Sequence, residues 1–208
     1  MSRQLHRVVL LSALAIGSPA LFSAIRTLSA ATQQGIAGFS YATPPRDDRV
    51  AAAAFESILP ILRHPRCMNC HSKGDFPRQG DDGHRHTMNV RRGPYGNGTL
   101  AVRCSTCHRD HNLAGLHMPP GSPGWHLPPP AMPMIWEGRT DRQLCELFKD
   151  PKQNGNRQVG EIVEHMNTPL VLWGWDPGEG RTPVPMRKAE FLAKVKEWAA
   201  QGAACPEK

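Results

Sequence analysis

Beyond its N-terminal stretch, the chain has no run of the eighteen or so consecutive apolar residues that a membrane-crossing helix needs. It also lacks the alternation of strand and helix patterns that marks a parallel α/β sheet, and no internal repeat exceeds one short motif. A large excess of one charge is missing too. The formal charge is +7 and the pI about 9.4, but without residues 1–30, and so without Arg3, Arg7 and Arg26, 22 basic side chains face 18 acidic ones. That net +4 gives no case for nucleic acid, although basic pairs such as Arg91-Arg92 and Arg63-Arg66 suit the steering of an acidic partner.

The first residues look like an export signal. Arg3 and Arg7 precede an apolar run from Val8 through Ile16, continued after Gly17-Ser18-Pro19 by Ala20-Leu21-Phe22, with small residues suited to cleavage at Ala24 or Ala30. Residues 1–30 are therefore expected to be a signal peptide or N-terminal anchor, 31–48 a flexible arm, and 49–206 a single domain in the bacterial periplasm. The expected membrane link is only through an uncleaved anchor.

Two stretches dominate what remains: Cys67-Met68-Asn69-Cys70-His71 and Cys104-Ser105-Thr106-Cys107-His108. Cys-x-x-Cys-His sets two thiols about one turn apart and an imidazole beside them, the attachment pattern for covalent haem c. On that reading Cys67, Cys70, Cys104 and Cys107 hold two haem c groups, and His71 and His108 are the proximal iron ligands. Distal candidates are His86, His84, Met118, His117 and Met134. Cys145 and Cys205 are left over, and in an exported chain they are expected to pair as a disulfide.

The expected fold is mainly α with long irregular loops, like a multihaem cytochrome c, with haems forming much of the core. Val50, Ala53, Ala54, Ser57, Ile58 and Ile61-Leu62 recur at helical spacing over 49–63, with Pro60 predicting a break or kink in the last turn. Residues 72–103 have no apolar period and are expected to wrap the cofactors. Prolines crowd 112–136, favouring extended loops. Thr140 is a candidate N-cap for a helix carrying Leu144, Leu147 and Phe148; Val159, Ile162, Val163 and Met166 mark another; and Phe191, Val195 and Trp198 mark the last. Trp125, Trp136, Trp173 and Trp175 are expected to be packing aromatics, and no catalytic residue is expected.

These motifs, with Gln79-Gly80-Asp81, Pro119-Pro120-Gly121, Trp125-His126-Leu127, Met132-Pro133-Met134 and Leu172-Trp173-Gly174-Trp175, resemble small bacterial exported dihaem cytochrome c proteins described as isoquinoline 1-oxidoreductase subunit-like. More distantly the chain resembles the dihaem small subunit of periplasmic nitrate reductase, which implies a distal role for His86 or His84. The implied function is periplasmic electron transfer between redox proteins, with the haem-ligation machinery and an oxidoreductase catalytic subunit as the partners the resemblance suggests. Two alternatives stand beside it: a small peroxidase-type haem oxidoreductase with one open iron position, and a zinc-stabilised binding protein on Cys67, Cys70, Cys104 and Cys107.

Overall fold

A computed structural model describes residues 45–208; the signal peptide or anchor expected at 1–30 and most of the arm expected at 31–48 lie outside the described residues. The elements, in order, are α1 (Asp48–Leu62), α2 (Pro65–Met68), the two-residue strands β1 (Arg78–Gln79) and β2 (His84–Arg85), α3 (Asp141–Lys149), α4 (Val159–His165), α5 (Pro169–Leu172) and α6 (Lys188–Ala200). Short 3-10 turns cover Cys104–Thr106 and Trp173–Trp175. Strands β1 and β2 pair antiparallel, with Arg78 opposite Arg85. Among the described residues no helix is long and apolar enough to cross a membrane.

Helix α1 begins where an acidic cap allows it. The Asp47 side chain accepts the Arg49 and Val50 N–H groups at 2.9 and 3.3 Å, satisfying donors that the first turn leaves free. The helix then buries Ala51, Ala54, Phe55, Ile58, Leu59, Ile61 and Leu62. Pro60 does not break it, and the helix runs on to Leu62. Proline deprives only the Glu56 carbonyl of its helical partner, and Glu56 is exposed, so water can replace the lost bond. Thr140 caps α3 as expected, in a reciprocal capping box with Gln143.

The principal helix pair is α1 on α6. Phe55 stands edge-on to Phe148 at 5.7 Å between ring centroids and lies 5.4 Å from Trp198, so α1, α3 and α6 meet in one aromatic cluster. Trp198, Val195, Phe191, Leu144 and Ile162 complete a continuous side-chain core. The Cys145–Cys205 disulfide joins α3 to the C-terminal tail, as expected.

Two expectations are corrected here. The domain is a small, mainly helical bundle stapled by a disulfide, and aliphatic and aromatic side chains build its core; nothing indicates haem groups forming it. Nor do residues 72–103 depend on a cofactor to hold them. The fully buried Arg92 guanidinium donates to the Pro128 carbonyl at 2.5 Å and to the Ser72 and Gly74 carbonyls at 3.4 Å. One charged side chain thus gathers three loop backbones, whose buried carbonyls would otherwise be unsatisfied. Gly96 closes the same region: a Cβ there would meet the Leu127 oxygen at 1.9 Å, and its φ of +80° suits glycine.

Candidate functional site

Helix α2 is a single turn that starts at Pro65, with the His64 ring accepting the Arg66 N–H. It delivers Cys67 and Cys70 to a cavity of about 120 Å³. Trp125, Trp136, Phe148, Trp173 and Trp175 wall it, with Ile61, Ile162 and Met166 from the core. The volume approaches that of an apolar engineered cavity of about 150 Å³ that takes up benzene.

Polar groups reach the cavity at a few points. His71 stacks on Trp136, with centroids 3.7 Å apart and planes 4° apart, and its Nδ1 lies 2.9 Å from the Met134 carbonyl. That carbonyl donates nothing, so Nδ1 carries the proton and Nε2 keeps a free lone pair. Met134 holds its position with φ +44°, which turns its backbone toward the histidine. Burial pushes the His71 pKa down to about 4 despite the hydrogen bond from Nδ1. His165, from α4, also lines the cavity, and burial followed by the charge of Arg157 pushes it to about 4. Both imidazoles are therefore neutral at pH 7.

Burial dominates the thiols as well. Cys67 is pushed up to about 12 and Cys70 to about 11, each further raised by a neighbouring sulfur. Both remain protonated at neutral pH and are poor nucleophiles.

Two arginines line the space. Arg66 is buried; its guanidinium pairs with Asp81, donates to the Gly80 carbonyl at 3.0 Å and lies 5.6 Å from the Trp173 ring centre. Burial works to raise the Asp81 carboxyl, but the Thr182 hydrogen bonds and the Arg66 charge hold it below its ordinary value. Arg157 is different. It donates to the Asn154 carbonyl at 3.0 Å but forms no ion pair among the described residues.

The second motif lies toward the surface. Cys104 is buried, Cys107 exposed, and His108 donates from Nδ1 to the Pro120 carbonyl at 2.7 Å. Its ring stacks on Trp125 at 4.5 Å, and Trp125 meets Trp173 edge-on at 4.9 Å. One indole thus stands between the surface histidine and the cavity wall. Burial lowers the His108 pKa.

The structure distributes the remaining candidates unevenly. Met134 is at the cavity, and His86 faces His108 with ring centroids 6.2 Å apart. His84 instead holds the Asp82 carboxylate at 2.6 Å on the surface, His117 is exposed with φ +55°, and Met118 is exposed. His165 is a cavity residue that is not among the distal candidates read from the sequence. Its signal was present: it shares a helix face with Ile162 and Met166, both buried.

Among the described residues, no group of three or more His, Cys, Asp or Glu side chains converges to hold a metal ion. On this finding the expected two haem c groups with their iron, the electron-transfer function drawn from them, and the assignment to dihaem cytochromes c are corrected. The peroxidase-type and zinc-stabilised alternatives fall with them, since Cys67, Cys70, Cys104 and Cys107 do not close into one thiolate site. What the first motif does build, together with His165 of α4, is an aromatic cavity with protonated thiols and neutral imidazoles at its wall. A scan against protein-family models gives no match, and searches of the curated proteins and of the solved structures give none.

Proposed function

We propose that the chain is a binding protein for a flat, conjugated organic acid, held in the aromatic cavity between α2 and α4. The observation that carries this reading is Arg157, a cation at an aromatic wall with no carboxylate partner among the described residues. A guanidinium in such a place can hold a ligand carboxylate through two parallel, charge-assisted hydrogen bonds. The tryptophans and Phe148 offer ring faces and edges for stacking. Neutral His71 and His165 can accept or donate a hydrogen bond without adding charge. Few polar groups in an apolar concavity are the usual composition of a small-molecule site.

The test is a melting-temperature comparison of the purified full chain with benzoate, 2-naphthoate and cyclohexanecarboxylate, read beside its intact mass. Binding of the aromatic acids in preference to the saturated one supports the reading. The same shift for all three overturns it. So does a mass showing a group already attached to the chain.

A further inference from the structure

A second surface, independent of the cavity's ligand, stands out by composition. Residues 84–118 carry five arginines against one aspartate, while over the rest of residues 45–208 acidic and basic side chains balance. The same segment has neither lysine nor glutamate. It also holds six of the seven large hydrophobic residues that the described chain exposes: Met88, Tyr95, Leu100, Val102, Leu116 and Met118. Leu100 is 88% exposed and Tyr95 77%, values that burial against this chain does not explain.

Local contacts draw the segment together around His108. The His86 ring, two residues before Met88, faces that of His108. The Gly98–Arg103 bridge folds Leu100 and Val102 against the turn that holds Cys104. The hydrogen bond from His108 to Pro120 anchors the strand of chain that carries Met118. Arg92 is buried and adds nothing to the surface, whereas Arg85, Arg103 and Arg109 are exposed and Arg91 is half-exposed beside Asp75.

We infer that this face docks an acidic protein, whose carboxylates meet Arg85, Arg103 and Arg109 around a contact made by Leu100, Tyr95 and Met88. The residue types are those that protein interfaces favour: arginine, tyrosine and methionine are enriched there, and lysine and glutamate depleted. Arginine suits carboxylates through its two-pronged hydrogen bonding. A lipid surface is the weaker fit, since polybasic membrane segments use clusters of about four to eight cations without interspersed acids.

The experiment uses the full chain and a fluorescently labelled random copolymer of glutamate and tyrosine, followed by anisotropy at low and at physiological salt. Saturable binding is expected, weaker at higher salt. Arg103→Glu with Arg109→Glu should weaken it by about tenfold, and Leu100→Ser by about threefold. Lys188→Glu with Lys196→Glu, exposed on α6, should leave it within about twofold. Far-ultraviolet circular dichroism confirms that each variant is folded. The inference is overturned if the copolymer does not bind, if the α6 reversals weaken it as much as the arginine reversals, or if vesicles of phosphatidylglycerol and phosphatidylcholine bind while the copolymer does not.

Discussion

Removing the disulfide is the perturbation whose magnitude follows most directly from the structure. Cys145 is fully buried on α3, and its partner lies 60 residues further along the chain. Releasing a loop of that length returns to the unfolded chain roughly 14 cal/mol/K, or about 4 kcal/mol at 25 °C. The native tail has other tethers. The Trp198 indole donates to the Ala204 carbonyl at 3.2 Å, the Ala203 N–H to the Trp198 carbonyl at 2.9 Å, and the Arg142 N–H to the Lys208 carbonyl at 2.8 Å. The folded state of Cys145→Ala with Cys205→Ala should therefore keep α6 docked, and most of the loss should come from the unfolded side. Urea unfolding followed by tryptophan fluorescence reads it. With a slope of about 2 kcal/mol per molar urea, the midpoint should fall by about 2 M. A fall of less than about 0.5 M with the slope unchanged would refute the reasoning.

Phe148 touches Phe55, Trp136 and Trp198, so Phe148→Ala should cost about 3–5 kcal/mol and also open the cavity; a loss under about 1 kcal/mol in urea would mean the cluster is not the core. Stability should depend on pH through His71 and His165, whose folded values near 4 lie below the ordinary 6.5 of the unfolded chain. The unfolded chain takes up protons first, so stability is full above about pH 6.5 and falls toward pH 4, by up to about 1.4 kcal/mol per pH unit for each histidine. Urea midpoints that stay flat between pH 7 and pH 5 would contradict this. Exchanging His165 for asparagine should reduce that pH slope.

The helices were legible because their signals are local. The 3.6-residue recurrence in α1, α3, α4 and α6, the Thr140 cap and the pairing of two spare cysteines each stand in the sequence as it is read. The core was misread for a physical reason. Residues 72–103 show no apolar period, and sequence alone gives no sign that Arg92, one arginine among several, goes inside and ties Ser72, Gly74 and Pro128 together. Of the two motifs, only Cys67, Cys70 and His71 of the first line the cavity. The haem assignment rests on pattern, and no convergence of ligands supports it among the described residues. Arg157 and His165 escaped because their roles depend on contacts across the fold: with the aromatic walls in one case, with burial against α4's neighbours in the other.

The proposed function turns on the charge of Arg157, and a comparison of acid and amide isolates it. Dissociation constants of 2-naphthoate and 2-naphthamide, measured by tryptophan fluorescence on the native chain and on Arg157→Met, form the four corners of one cycle. The native protein should prefer the acid by about tenfold, and Arg157→Met should lose that preference while binding the amide as before. An acid preference that survives the substitution, or a native chain that binds neither compound, would contradict the account.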